Sequence, residues 1–407
     1  MRSYKVILKN RPYMWLWLGA LVSRFGDSFT EFGLAWYVLG RSNNPLDVGL
    51  TFLIFRLPGL FSGVLAGWLL DRFRREAVML TDNLLRGFLV MLIPLLNGVG
   101  VLFLPLLYLI IAGLGALAVI TTVGSRAMIS DLVPASQYNV ANTLDTTQGQ
   151  LSAIVGPGLA GVLVSLIGPL ALLWLDSVSF FFFAVVLVLL LRRPRPILVE
   201  TATTAAPQNF LRQLTEGIHF TFRSPLLLAM LSISFFWNFG LGLFNVALPF
   251  YCQTSLGVGP AGMGALLAIN SAGVLIAVLL FGPSRPRYPG RITCWLLIAQ
   301  AVCYTVMAVW PIFWLVLPVY FLLGCLDDLG GIYLAAVRQR FVPIHLQGRV
   351  LAFYGTIGSS SSPLGNGLAG VLLTGLGAAT LVGLAGLPLL AMGVLWLTVG
   401  PIRRVKE

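Results

Sequence analysis

Gly156-Pro157-Gly158-Leu159-Ala160-Gly161-Val162-Leu163 returns later in the chain as Gly365-Asn366-Gly367-Leu368-Ala369-Gly370-Val371-Leu372, with seven of eight positions identical. Residue 365 follows residue 156 by 209 positions in a chain of 407, so the second copy lies about half a chain away. The same offset, without a gap, carries Val133-Pro134 onto Val342-Pro343, Gly149 onto Gly358 and Gly168 onto Gly377. Both copies sit inside long apolar runs. A membrane chain whose second half repeats its first in the same order builds two parallel bundles, with a binding site expected near the bilayer midplane between the repeats.

Composition makes the membrane reading necessary. The chain is 58% hydrophobic and 10% charged, with a mean hydropathy of +0.91, and a soluble domain of this size needs far more charge on its surface. Apolar runs of about 20 residues, the length that spans a bilayer core, recur as twelve spans centred near Phe25, Phe61, Val90, Leu109, Ala153, Phe181, Phe239, Ile269, Ala301, Leu323, Gly365 and Met392. The expected fold is all-α: twelve transmembrane helices in two six-helix bundles, residues 1–191 and 225–407, joined by a cytoplasmic linker over 192–224. The first span is too long and too charged for a cleaved signal peptide. No Gly-x-x-x-x-Gly-Lys-Ser/Thr run suggests a built-in ATPase.

A net charge of +12 could suggest nucleic acid, but its distribution argues against that partner. All but four of the 26 basic residues (Arg24, Arg41, Arg56 and Arg86) fall in the N-terminal segment, alternate loops, the linker and the C-terminal tail. Only Arg41 falls in the opposite loops. This asymmetry places both termini in the cytoplasm of a multi-pass protein of the cell (inner) membrane, in contact with membrane lipid. Cys252, Cys294, Cys303 and Cys325 show no metal or disulfide spacing and read as packing residues. His219 and His345 stand alone, so no metal site and no cofactor is expected.

The linker opens with Arg192-Arg193-Pro194-Arg195-Pro196 and runs through a Thr/Ala-rich stretch. Its second part spaces Phe210, Leu214, Ile218 and Phe222 four residues apart, with Arg212, Glu216 and Arg223 elsewhere. That pattern predicts an amphipathic helix on the inner membrane surface.

After the second span comes Gly67-Trp68-Leu69-Leu70-Asp71-Arg72-Phe73-Arg74-Arg75-Glu76. It reads as a tight inner hairpin in which Gly67 permits close helix approach and Asp71 can meet a helix N-terminus or an arginine. In this ordered Gly-x-Leu-x-Asp-Arg-x-x-Arg pattern the chain resembles the major facilitator superfamily. Arg74 stands where that family has glycine and Glu76 where it has a base, while Asp71, Arg72 and Arg75 are in place. The resemblance implies a gate around Gly67, Asp71, Arg72 and Arg75, with Asp82 and Arg86, an i, i+4 pair of the third span, as its partner. The equivalent loop of the second half, Gly282 to Arg291, keeps only bases and turn residues.

The Gly156-Pro157-Gly158-Leu159-Ala160-Gly161 run on the fifth span is similar to a motif of that superfamily's exporters. Its small residues also suit plain helix packing, and Pro157 can bend the helix. Phe25-Gly26-Asp27, Asp82-Asn83-Leu84-Leu85-Arg86 and Asp176-Ser177-Val178-Ser179-Phe180 resemble the branch holding macrolide/multidrug and siderophore exporters. The family likeness implies that spans 1, 4, 7 and 10 line the cavity.

Ionisable residues inside the membrane are costly unless paired or wet. The first span carries Arg24, Asp27 and Glu31 at i, i+3 and i+7, on one face over about 10 Å. Arg56 of the second span lies at the depth of Glu31, so the two can pair. Asp327 and Asp328 lie near mid-membrane in the tenth span, about 100° apart around the helix, so at most one faces the cavity squarely. A carboxylate in such a cavity can take up a proton, and a nearby arginine opposes that uptake. Asp145 and Asp176 read as near helix ends, where solvation or capping is cheap. Asn238 and Asn245, with Phe236 and Trp237, are candidate cavity contacts.

These features point to secondary active transport: proton-coupled efflux of an amphipathic small molecule, drug- or siderophore-like, by a protein complete as a monomer. Uptake, lipid movement between leaflets and a non-transporting receptor are the alternatives. An enzyme is not expected, because there is no His-Glu-x-x-His, and Asp327-Asp328 lacks the further acids of a diphosphate-binding run.

Overall fold

The computed structural model describes residues 6–192, 210–281, 284, 286–343 and 346–399. Arg2, Lys5, most of the linker with Arg193 and Arg195, Gly282, Pro283, Arg285, His345, Arg403, Arg404 and Lys406 lie outside the described residues, as do the side chains of Phe210, Arg212, Leu214, Asp328 and Arg349.

The described residues are almost wholly helical. The first half contains α1 Arg11–Ser42, α2 Pro45–Arg72, α3 Arg75–Gly98, α4 Leu104–Leu132, α5 Tyr138–Ile167 and α6 Pro169–Leu191. The linker helix α7 is Phe210–Arg223, and the second half contains α8 Pro225–Phe250, α9 Pro260–Phe281, α10 Pro289–Val309, α11 Phe313–Phe341, α12 Gln347–Leu373 and α13 Ala378–Thr398. Starts follow local chemistry. Asn10 and Asn44 cap α1 and α2 through their side-chain oxygens, with proline in the first turn of each, where its missing N–H costs nothing.

Ten of the described helices are long and apolar enough to cross a membrane by length and composition. The other two long ones, α1 and α12, fall short on apolarity. Arg24, Asp27 and Glu31 interrupt α1, and Ser359-Ser360-Ser361-Ser362 interrupts α12. At 32 residues, α1 extends about 48 Å, more than the bilayer core requires.

The 209-residue offset is built into the backbone. Helix α11 begins and ends 209 residues after α4, and α12 and α13 begin 209 residues after α5 and α6. The chain divides into two compact units, Met1–Arg195 with Gly259–Ala268, and Pro196–Val258 with Ile269–Glu407.

In the first unit α1 packs on α5 and α6, α3 on α4 and α6, and α2 on α4. Its core gathers Leu16, Ala20, Leu70, Met79, Met128, Phe183 and Leu187. In the second unit α8 packs on α12 and α13, and α10 on α11 and α13. Phe244 there meets Tyr304 at 5.2 Å and Tyr320 at 5.6 Å between ring centroids. Glycine sets the tightest crossings. A Cβ on Gly115 would strike the Phe55 carbonyl of α2, and one on its repeat counterpart Gly324 would strike the Asn270 carbonyl of α9.

Gly67 is not such a place. A Cβ there would meet nothing within 4 Å, so the expected close approach in the inner hairpin is corrected: the helices meet at Gly115 and at Gly124, which abuts Met79. The α7 helix forms over Phe210–Arg223, and its Phe222 packs on Phe353 of α12, 6.2 Å between ring centroids. Cys252, Cys294 and Cys303 are buried and Cys325 half-buried, all as free thiols.

Candidate functional site

The charged face of α1 resolves into three ion pairs with three different helices. Arg24 bonds Asp145 of α5 at 3.0 Å, and Arg126 of α4 approaches the other oxygen of that carboxylate at 3.5 Å. Asp27 accepts from Arg86 of α3, and Glu31 from Arg56 of α2. These pairs differ in their surroundings. The Arg86 side chain is 4% exposed and the Asp27 side chain 39%, whereas both members of the Glu31–Arg56 pair are more than a third open, at 35% and 46%. A buried guanidinium under a reachable carboxylate is therefore peculiar to Asp27.

Arg86 has further company. Its guanidinium lies 4.2 Å over the Phe180 ring, its buried Nε has no hydrogen-bond partner among the described residues, and Asp82 and Asp176 lie in its electrostatic range. Asp82 accepts from Thr121 and leaves its Oδ1 without a partner. Arg86 thus pairs with Asp27, which corrects the expectation of an Asp82–Arg86 unit serving the Asp71 loop. The two are one helical turn apart, but the guanidinium is drawn across to α1.

Asp145 and Asp176 are likewise corrected. Neither is near solvent: Asp145 is buried against its two arginines, and Asp176, at 0% exposure, takes hydrogen bonds from Thr30 and Ser179. Ion pairing and hydroxyl donors, rather than helix-end solvation, hold these carboxylates. The sequence reading overlooked them because proximity to a helix start was taken for exposure.

At the α2–α3 hairpin Arg75 bonds Asp131 at 2.9 Å and the Ala127 carbonyl at 2.8 Å, tying the start of α3 to the end of α4. Arg74 reaches the Leu191 carbonyl at 2.9 Å. Arg72 stacks on Trp68, 5.5 Å from its centroid. Asp71 is exposed and forms no ion pair among the described residues.

In α5, the glycines each meet a neighbour. A Cβ on Gly156 would sit 2.5 Å from Ser28 Oγ of α1, one on Gly158 would sit 2.8 Å from Ala268 Cβ, and Gly161 abuts Gly264. Pro157 lies within the helix. The motif is physically a packing seam. Its repeat counterpart Gly365 abuts the Phe239 carbonyl of α8.

The second unit has a partly open cavity of about 260 Å³ between α8, α10, α11 and α12. Asp327 and Asn238 line it, as does Trp237. Asn238 donates to the Ser234 carbonyl at 2.9 Å. Phe236 packs on Phe235 instead, and Asn245 is half-buried outside the lining. The side chain of Asp328 lies outside the described residues. Sequence reasoning missed Thr293, Gln300, Arg338 and Tyr354 of the lining. The usable signal was Gln300, a lone amide in the apolar run from Trp295 to Met307.

Helices repeated at an offset, buried ion pairs and a largely apolar cavity with a few polar groups are features of a transport fold, and the comparisons agree. Residues 16–366 match the family model of the Major Facilitator Superfamily. The chain belongs to that superfamily. It is 26% identical over 400 residues to the multidrug efflux pump Tap of Mycolicibacterium fortuitum, covering 95% of each chain. It is also 26% identical over 390 residues, 91% of each chain, to the uncharacterized MFS-type transporter y4rN of Sinorhizobium fredii. Among solved structures, the nucleoside transporter NupG superposes with a TM-score of 0.74 at 12% identity, over 97% of this chain and 100% of NupG. A bacterial homologue of the iron transporter ferroportin in its inward-facing state gives 0.68 at 17% identity, over 96% and 99%. The protein is therefore a multi-pass membrane transporter of the major facilitator superfamily, a family whose members sit in membrane lipid and bind small-molecule substrates.

Proposed function

We propose that this transporter exports amphipathic small molecules in exchange for protons, as a monomer in the inner membrane with both termini cytoplasmic. The two bundles, 1–191 and 225–407, would alternate their access around the substrate, with the linker 192–224 tying them together. The observation that carries the coupling is the Asp27–Arg86 pair. Protonating the open carboxylate cancels its attraction for a guanidinium that has almost no water to turn to, so proton uptake and the position of α3 against α1 are linked. Export as the direction is supported by the likeness to Tap and by the Gly156-Pro157-Gly158 seam. Asp71, Arg72 and Arg75 form the inner gate in this reading.

The test is transport in proteoliposomes of known orientation, driven by an imposed pH gradient, with a fluorescent amphipathic cation as substrate. Wild type should move the dye against the proton flow, and Asp27→Asn should bind it but lose the response to the gradient. A dye movement equal in both proteins, or absent from both, overturns the coupling. Movement in the same direction as the protons would mark an importer.

A further inference from the structure

We infer that the cavity of the second unit binds an amphipathic organic anion, with Arg338 holding its carboxylate. The inference rests on the export reading only for the ligand's being cargo, and it names a group that the cargo carries.

The argument starts from a missing counter-charge. Arg24, Arg56 and Arg86 of the first unit each meet a carboxylate. Arg41 meets none, but its guanidinium is taken up by the oxygens of Tyr37, Asn97 and the Leu102 carbonyl. Arg338 has neither arrangement. The positive-inside count placed it with the loop bases, whereas it lies within α11, half-buried on the cavity wall. It makes no ion pair among the described residues. Asp327, the other charged residue of the lining, is about 16 Å away along the helix, too far to neutralise it. What Arg338 has is Tyr354: the ring centroid is 4.3 Å away and the phenol oxygen takes a hydrogen bond from it. The Tyr354 hydroxyl donates in turn to the Met230 carbonyl at 2.9 Å, which fixes the ring. A ring and one hydroxyl position the guanidinium, but they leave its charge unbalanced and most of its five N–H donors open. A carboxylate, taken by two parallel N–H bonds, supplies what is missing.

The repeat sharpens this. Helices α5 and α12 keep the 209-residue offset, which puts Tyr354 at the place of Asp145, the carboxylate that holds Arg24 and Arg126. The second unit has an aromatic plate where the first has an acid, and the anion is left for a ligand to bring. Nor does the helix plan demand an arginine: the place of Arg338 in the first half is filled by Ile129, a core residue 5% exposed. The rest of the cavity suits an apolar body. From Arg338 the α11 wall continues through Leu334 to Gly331, with Ile233 of α8 and Leu297 of α10 in the same lining. Space is open at Gly331, where a Cβ would meet nothing within 4 Å. Because the lining comes from spans 7, 9, 10 and 11, this unit's share of the expected set (7 and 10) is widened by two.

The experiment is equilibrium binding to the purified protein in non-ionic detergent, with no gradient imposed. The probes are dansylglycine, a fluorescent carboxylate, and dansylglycinamide, its neutral counterpart. Wild type should bind the carboxylate at least about tenfold more tightly, and octanoate should displace it. Arg338→Gln should bring the ratio to near one, while Arg338→Lys, which keeps the charge, should retain part of the preference. Equal affinity of wild type for the two probes overturns the inference, whether or not either variant folds. So does a preference that survives in Arg338→Gln. An Arg338→Lys protein indistinguishable from Arg338→Gln overturns it as well, because the arginine would then act by packing. Displacement by dihexanoyl phosphatidylglycerol but not by octanoate would give the site to a lipid head group and overturn the assignment to cargo. Because no gradient enters, a positive result stands even if coupled export fails in proteoliposomes. Conversely, gradient-driven export with no preference for the carboxylate removes this site alone.

Discussion

Helix α1 carries Arg24, Asp27 and Glu31, whose ion-pair partners are Asp145, Arg86 and Arg56. Helices α8 and α10 begin 214 residues after α1 and α3, and α9 begins 215 after α2. The second half therefore has Asn238, Leu241 and Asn245 at the places of Arg24, Asp27 and Glu31, and Tyr354, Gln300 and Ser271 at the places of their partners. The reverse also holds. Asp327 and Arg338 of the second cavity correspond to Ala118 and Ile129 in the first half, while its Gln300 and Asn238 stand at the places of Arg86 and Arg24. Two units with one backbone plan thus bury different chemistry: a web of interhelical ion pairs in one, neutral polar groups around a partly open slot in the other. A repeat transmits helix boundaries and glycine crossings, because these depend on backbone geometry. It does not transmit charge, which depends on side chains that can change without moving the backbone.

The largest test of that contrast is Arg86→Met. It leaves Asp27 without its cation, beside Asp82 and Asp176, and should cost about 3–5 kcal/mol, read as a lower unfolding midpoint of the purified protein in detergent. Gln300→Met, at the equivalent place in the second half, loses one hydrogen bond to the Leu326 carbonyl and leaves no charge uncompensated, so it should shift the midpoint less; equal losses would break the division between the two halves. Next come Gly115→Val and Gly324→Val, where a side chain meets a carbonyl of the neighbouring helix. Each should cost about 2 kcal/mol or more, and by similar amounts; tolerance of one alone would end their equivalence. Glu31→Gln breaks a pair that is more than a third exposed, and its cost should stay under about 1 kcal/mol, so a loss approaching that of Arg86→Met would show the web to be a single unit. The smallest effect belongs to Gly67→Ala and Gly331→Ala, one in each half. Both glycines are helical and open, so both substitutions should stabilise by about 0.5–1 kcal/mol, and a destabilised variant would reveal a neighbour that the geometry lacks.

Much of this was legible beforehand. The repeat, the positions of the spans and the Glu31–Arg56 depth match all follow from periodicity and spacing, which act over one helix or one hairpin. Gly67 was misjudged because a glycine permits close approach without compelling it, and the neighbour at that level is absent. Arg86 was assigned to Asp82 because one turn of helix is visible in the chain, whereas the rotation that turns it toward Asp27 arises from α1, α3 and α6 packing together. The cavity was half seen. Asp327 and Asn238 are polar in apolar helices and announce themselves, but Tyr354 and Arg338 are ordinary near a helix end until packing brings them beside α8.

The state of the four thiols has a practical consequence for spectroscopy. Three are sealed inside helix packing and the fourth, Cys325, is half-buried, and thiol reagents act on accessible thiolates. A cysteine introduced on an exposed loop would react ahead of the native ones. Fluorophore or spin-label pairs across the two halves can then be installed in the native background, with unmodified protein as the measure of Cys325 labelling.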